Sequence, residues 1–263
     1  MKRFGFGSNW ESYSRSALSD ARVVQARMSF QSLLLGVDLA DRSFLDIGFG
    51  QGLSAAIAAE AGAGVVAVDI DADCHTAYQI TRRFFRWLSE PEIIIGSILD
   101  PRIVDNMRSK GPFDVVHSWG VLHHTGDMWR AIDDAASLVK PGGHLVIAIY
   151  ARHWTAPLWK IIKWAYVHAP SVVRSAMIAA FTPVMRWRAR QLGSNRVIVR
   201  GMEFQHDLVD GIGGYPYECA SREQIEGHLT SRGLTALRFN PTTGMTGCHE
   251  YVFQRSAPGL VAR

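Results

Sequence analysis

The sequence predicts a doubly wound α/β fold, a mostly parallel sheet covered by helices on both faces, and three observations carry that prediction. Five short apolar runs recur in the first 150 residues: SFLDIG at 43–48, GVVAVDI at 64–70, EIIIGSI at 92–98, FDVVHSW at 113–119 and HLVIAIY at 144–150. Helical stretches beginning near Gly52, Cys74, Arg102 and Gly126 separate them. The runs are close to continuously apolar, as strands are when helical crossovers bury them on both faces.

Taken in order, the chain starts with an aromatic, polar stretch, FGFGSNWESY. A helix is expected over 20–36, where Val23, Val24, Ala26, Arg27, Phe30, Leu33 and Leu34 fall mainly at three-to-four spacing. The fifth strand is expected to follow the turn KPGG at 140–143. After Tyr150 the alternation gives way to a basic, Trp-rich segment and then a glycine-rich turn, GIGGYPYE, at 211–218. A last helix spans SREQIEGHLTSRG, with Ser221 as N-cap and Gly233 as stop. LTALRF and EYVFQ read as two further strands, which makes seven with the last antiparallel. The expected division is an N-terminal helical lid at 1–42, a core at 43–150, a basic cap insertion at 151–215, and a closing helix and strands at 216–263.

Composition narrows the function classes. With 263 residues and 48% apolar content the chain can bury a sizeable core. Cys74, Cys219 and Cys248 are odd in number and far apart, which suggests neither a disulfide framework nor a paired CxxC metal site. The first thirty residues lack the apolar stretch of a signal peptide, so a cytoplasmic protein is expected. The net charge of +4 hides an asymmetry: residues 151–200 hold nine Lys or Arg and no Asp or Glu, while the rest holds 19 basic against 24 acidic residues.

The segment FLDIGFGQGLSAA places Asp46, Gly48, Gly50 and Gly52 where the first strand turns into a helix. Glycines there let a ligand approach the backbone. The spacing departs from the dinucleotide pattern G-x-G-x-x-G, because Leu53 stands at the last glycine position. An acid before the first glycine also suits a cationic ligand part better than a phosphate. The second strand ends in Asp69, whose carboxylate can accept bonds from both hydroxyls of a ribose. Nucleoside binding is therefore expected, with helix capping the plainer alternative for both acids. A calcium loop at 69–80 fails for want of the glycine and the closing glutamate.

These features, with FDVVHSWGVLHH at 113–124 and LVKPGG at 138–143, resemble class I S-adenosylmethionine-dependent methyltransferases over about residues 43–150. The resemblance implies a Rossmann-like core, S-adenosylmethionine as donor and S-adenosylhomocysteine as product. It further implies that Gly48, Gly50 and the backbone near Trp119 hold the methionine portion, Asp69 the ribose, and the GSILD run at 96–100 the adenine. Ser97, Ile98 and Asp100 are the adenine candidates, with Ser97 standing where the family often has Asp. Asp46, Gly52 and Ile70 complete the expected cofactor contacts. Outside the core, FGFGSNWESY, RGMEFQHDLVDGIGGYPYE and GCHEYVF resemble a bacterial subgroup associated with small-molecule and cell-surface glycan biosynthesis, related to quinone and sugar O-methyltransferases. Trp10 and Tyr13 are then lid candidates.

Methyl transfer to a hydroxyl benefits from a base, and imidazole is the suitable type. His123 and His124 follow the fourth strand at the edge where open α/β sheets bind ligands, and either is a candidate base. Gly120 supplies no ligand, so no metal is expected. His206, Asp207 and Asp210, with Tyr215 and Tyr217 beyond, are candidate substrate contacts, an exposed capped turn being the plainer alternative. His117 is expected to be buried core.

In the insertion, Leu158, Ile161, Ile162 and Ala165 form a helical stripe with Lys160 and Lys163 beside it, and Pro170 and Pro183 bound a second helix of about a dozen residues. That length is too short to span a membrane. The segment could hold an anionic substrate, lie on anionic lipid as a peripheral inner-membrane contact, or be a solvated face; RNA ranks last. The expected function is methyl transfer to oxygen of a sugar-like or polar small molecule. The alternatives are a membrane lipid or lipid-linked acceptor, a non-catalytic cofactor-binding module, or a nicotinamide dehydrogenase.

Overall fold

The computed structural model describes residues 2–34, 36–86, 89–191, 201–242 and 247–257. Within them β1 (Ser43–Ile47), β2 (Gly64–Asp69), β3 (Glu92–Ile95), β4 (Phe113–Trp119), β5 (Val139–Tyr150), β6 (Leu234–Asn240) and β7 (Cys248–Arg255) form one sheet ordered β3-β2-β1-β4-β5-β7-β6. The first five run parallel, and β7 is antiparallel to both of its neighbours. The chain order reverses between β1 and β4, where a crevice opens at the carboxyl ends of the strands.

Period-two alternation along the strands feeds two cores. Leu45, Ile47, Val66 and Val68 pack against α5 (Pro101–Lys110), α6 (Met128–Ser137) and α10 (Arg222–Thr230). Phe44, Val65, Ala67 and Val115 pack on the opposite face against α2 (Asp20–Leu34), α3 (Leu53–Glu60) and α4 (Asp73–Thr81). Truncating Phe44, fully buried between α2 and the sheet, should cost about 3–5 kcal/mol. Ser221 caps α10 through a reciprocal box with Gln224, as the sequence suggested.

Two expectations need correction, and the helical lid expected at 1–42 gains a second helix. The KPGG segment is drawn into β5, whose pairing with β4 shifts register between Phe113 and Val115. Four residues of β5 face one of β4 between those pairs, so KPGG is an irregularity within the strand instead of a turn ahead of it. The polar start is helical: α1 (Phe6–Ser16) packs across α4. The second insertion helix, α8 (Ser171–Gln191), runs 21 residues with Pro183 inside it. Proline there gives up one backbone bond, while the Thr182 hydroxyl donates to the Ile178 carbonyl at 2.7 Å beside it.

A smaller third core lies over the carboxyl edge of the sheet. Tyr166 and Val167 of α7 (Ala156–His168) meet Leu208 and Ile212 of α9 (Phe204–Gly213), and Ile178, Phe181 and Met185 of α8 pack against them.

Candidate active site

A cavity of about 550 Å³ occupies the crevice, floored by the ends of β1, β2, β4 and β5 and roofed by α1 and α9. Its two halves are built differently. In the first half the chain turns sharply after β1, with Gly48 and Gly50 at φ +73° and +55°. A side chain at Gly48 would strike Val121, and one at Gly50 would crowd the Trp10 indole, which closes over the loop. The Gly50 amide donates to Asp69 Oδ2 at 2.9 Å and the Asp71 amide to Oδ1 at 3.0 Å, so the carboxylate at the end of β2 is locked to the loop. Burial raises the pKa of Asp69.

Asp46 and His117 are register partners on β1 and β4, and Asp46 Oδ1 lies 2.8 Å from His117 Nδ1. The imidazole is packed against Phe30 and Phe44, with ring centroids 5.7 and 5.8 Å away. His117 is thus buried as expected, yet it borders the cavity and aims the carboxylate. Asp46 Oδ2 is buried with no hydrogen-bond partner among the described residues.

The second half is made from distant segments. His123 and His124 close a 3₁₀ turn after β4 with ring centroids 4.4 Å apart, and both border the cavity. His123 is fully buried, and its Nδ1 accepts from the Tyr150 amide at 3.3 Å. The neutral ring therefore carries its proton on Nε2 and has no lone pair left to offer. His124 has the opposite tautomer: Nδ1 donates to the Pro216 carbonyl at 2.6 Å, leaving Nε2 as an acceptor. Burial, reinforced by the Lys163 charge, lowers the His124 pKa to about 3, and burial also holds His123 well below its ordinary value. Both rings are neutral at pH 7.

Asp207 and Asp210 of α9 also border the cavity. Asp210 Oδ1 accepts from the Asn9 amide of α1 at 2.8 Å. Burial, helped by the Asp207 charge, raises the Asp210 pKa to about 8, and burial raises that of Asp207. Behind this wall Lys163 is only 2% exposed. Its Nζ donates to the Gly211 carbonyl at 2.5 Å and lies 5.1 and 5.3 Å from the ring centroids of Tyr150 and Tyr217. Burial lowers the Lys163 pKa to about 8 against the pull of Asp210 and Asp207.

A family model for a methyltransferase domain matches residues 21–191, which takes in the glycine loop, both acids, both histidines and the first two insertion helices. The chain belongs to this methyltransferase family. The Ubiquinone biosynthesis O-methyltransferase of Alkalilimnicola ehrlichii is 30% identical over 141 residues, 54% of this chain and 54% of that one. Its counterpart from Ralstonia nicotianae is 27% identical over 179 residues, 63% of this chain and 68% of that one. In most such alignments the chain spans about half the length of the curated relatives it matches. Among solved structures, the magnesium protoporphyrin IX methyltransferase from Synechocystis PCC 6803 with bound SAH shares the fold at TM-score 0.54 and 16% identity, covering 89% of this chain and 84% of that one. An O-methyltransferase family protein from Burkholderia thailandensis does so at TM-score 0.55 and 18% identity, covering 90% and 59%.

The residues of the first half fit the methyl donor of this family, S-adenosylmethionine. The unpartnered Asp46 Oδ2 offers an acceptor for an ammonium group, the Gly48–Gly50 turn leaves room for backbone contact, and the anchored Asp69 carboxylate faces the cavity beside Ile70. Ser97 and Ile98 border the same end.

The structure brings fourteen sequence-predicted residues to the cavity: Trp10, Asp46, Gly48, Gly50, Asp69, Ile70, Ser97, Ile98, Trp119, His123, His124, Asp207, Asp210 and Tyr215. Five do not border it. Gly52 is required because a side chain there would strike Tyr78 of α4. Asp100 caps α5, accepting from the Arg102 amide at 3.0 Å and binding its guanidinium. His206 bridges Glu203 and Ser12. Tyr13 is buried with its hydroxyl on the Gly201 carbonyl, and Tyr217 lies behind Tyr150. Sequence reasoning missed the Asp46–His117 pair, although both stand on adjacent strands near the carboxyl edge. It also missed the inward turn of Lys163, which the buried Tyr166 and Val167 three and four residues on would have signalled.

Proposed function

We propose that the protein transfers a methyl group from S-adenosylmethionine to a hydroxyl oxygen of a polar, sugar-like small molecule, with His124 as the base. The observation that carries this reading is the fixed tautomer of His124, a cavity-lining ring whose Nδ1–H is committed to the Pro216 carbonyl, so that Nε2 is its acceptor nitrogen. When bound, the donor supplies a methyl on a cationic sulfur, which departs with the bond pair as a neutral thioether.

The chain's own residues position the acceptor and take its proton. As the new C–O bond forms, the acceptor hydroxyl becomes strongly acidic, so even an imidazole held at a low pKa can accept its proton. Low pKa also keeps the Nε2 lone pair available across the physiological range. Asp207 and Asp210, across the cavity from the sheet, can accept hydrogen bonds from neighbouring hydroxyls of a polyol. Trp10 and α1 cover the donor end and limit water there.

A second reading, a lipid-linked acceptor, is favoured by the apolar side of the cavity. Met185 of α8, Met202 and Phe204 border it, so an apolar tail would have a path along the insertion. The test is transfer of labelled methyl from S-adenosylmethionine to a panel of free sugars, nucleotide sugars and lipid-linked sugars, with wild type and His124→Asn in parallel. Label in a free or nucleotide-linked sugar supports the first reading, and label only in lipid-linked acceptors the second. Labelled acceptor formed equally by His124→Asn would remove the base assignment.

A further inference from the structure

The helical insertion is oriented opposite to what its apolar residues would suggest in water. On α7 the buried face is Lys163, Tyr166 and Val167, while Leu158, Ile161 and Trp164 are exposed at 56%, 63% and 50%. Trp154, just before the helix, is 83% exposed. On α8 the residues turned inward are Met177, Ile178, Phe181 and Met185, yet the outer side carries Val172, Val173, Val184 and Trp187, all exposed, among exposed alanines. Both helices therefore have a core face and a second apolar face that, apart from Trp164 stacked on His168, is not packed into any hydrophobic core among the described residues. Most of the large exposed apolar side chains among the described residues fall in this one segment.

The charges around this face select its occupant. Lys160, Arg174, Arg186 and Arg190 are exposed on the same two helices and Arg152 just before them, and the sequence from 151 to 200 contains no acidic residue. A second copy seated here would set like charges against one another, because a two-fold contact brings a patch against itself. A bilayer surface with anionic headgroups satisfies both features: the apolar and indole side chains enter the interface and the basic groups meet lipid phosphates. No helix among the described residues is long and apolar enough to cross a membrane, so the contact is one of lying on the surface.

We infer that the outer face of α7 and α8 docks the protein on an anionic lipid surface, with Trp154, Trp164 and Trp187 in the headgroup region. This deepens the reading of a lipid-linked acceptor and rests on it for its purpose, though not for its geometry. Met185, on the inner side of α8, borders the cavity, so the docked helix is also a cavity wall.

The test uses the full chain bound to S-adenosylhomocysteine, floated with vesicles of phosphatidylcholine alone or with phosphatidylglycerol, and with brominated lipid as a tryptophan quencher. Binding is expected only to the anionic vesicles, with quenching, and salt should weaken it. Replacing Leu158, Ile161 and Trp164 by Ser should abolish quenching. Lys160→Gln or Arg186→Gln should each lower partitioning roughly fivefold. Unchanged S-adenosylhomocysteine affinity and circular dichroism verify that the variants fold. No binding to anionic vesicles, or binding without quenching that the Ser variant retains, would overturn the inference. Self-association in sedimentation that the Ser variant loses, with no vesicle binding, would instead assign the face to a second copy. Vesicle binding by a chain that fails to bind S-adenosylhomocysteine would leave the docking intact and sink the methyltransferase reading.

Discussion

The two halves of the cavity differ in how they hold their polar groups. At the donor end Asp46 and Asp69 sit on the strand ends, anchored by His117 and by loop amides a few residues away, with one carboxylate oxygen unpartnered. At the acceptor end Asp207, Asp210, Lys163 and His124 are clustered by helices packed on one another, and burial moves every one of their pKa values toward the neutral form. The first arrangement holds two carboxylates in fixed positions by short hydrogen bonds and leaves an Asp46 oxygen open as an acceptor. The second suppresses charge, as suits neutral hydroxyls and a proton that must move.

The sharpest way to break this comparison is at the histidines. His124→Asn should slow methyl transfer by roughly 10²- to 10⁴-fold with cofactor affinity retained. His123→Asn, which loses a ring without a free lone pair, should act mainly through stability, read as a lower melting temperature. Equal kinetic losses in steady-state assays of both variants would remove the distinction drawn from the tautomers.

The charged cluster gives the next largest effect, in stability. Asp210 is raised in the folded protein from 3.8 to about 8, so the stability it contributes is complete below about pH 4 and is lost as pH rises through about 8. Relative to Asp210→Asn, the wild type should therefore lose at most about 1.4 kcal/mol per pH unit across that window in denaturant titrations. A flat difference would show that the carboxyl is ionised throughout. Lys163 has the opposite sign: lowered from 10.5 to about 8, it costs stability below about 8, a cost relieved as pH rises toward 10. Lys163→Met removes the bond to Gly211 and should still cost about 1–3 kcal/mol near neutrality, because the carbonyl is left unsatisfied.

The smallest effect tests the border between cavity and scaffold. Asp100→Ala should lower the melting temperature slightly through loss of the α5 cap and leave S-adenosylhomocysteine affinity unchanged. A tenfold weaker affinity would return Asp100 to the adenine site.

What the sequence disclosed follows the same division. The strands, the glycine turn and both acids were legible because local spacing determines them: strand ends fall on the crevice, and a glycine at φ +55° is needed wherever the loop bends under Trp10. The acceptor end was legible only as residue types. Asn9 and Asp210 meet across 201 residues, and Lys163 reaches Gly211 across 48. Such contacts depend on how α1, α7 and α9 pack, which no periodicity states. The apolar stripe of α7 misled for the same reason, since its exposed side is as apolar as its buried one.

The most direct test of the divided cavity is calorimetric titration of S-adenosylhomocysteine into wild type, Asp46→Asn and Asp210→Asn. Binding to wild type, a loss of roughly thirtyfold or more in Asp46→Asn, and wild-type affinity in Asp210→Asn are predicted, since truncating one partner of a buried charge contact costs about 2–5 kcal/mol. Equal weakening by the two substitutions, or no binding to wild type beside tight binding of NAD(H), would contradict the account.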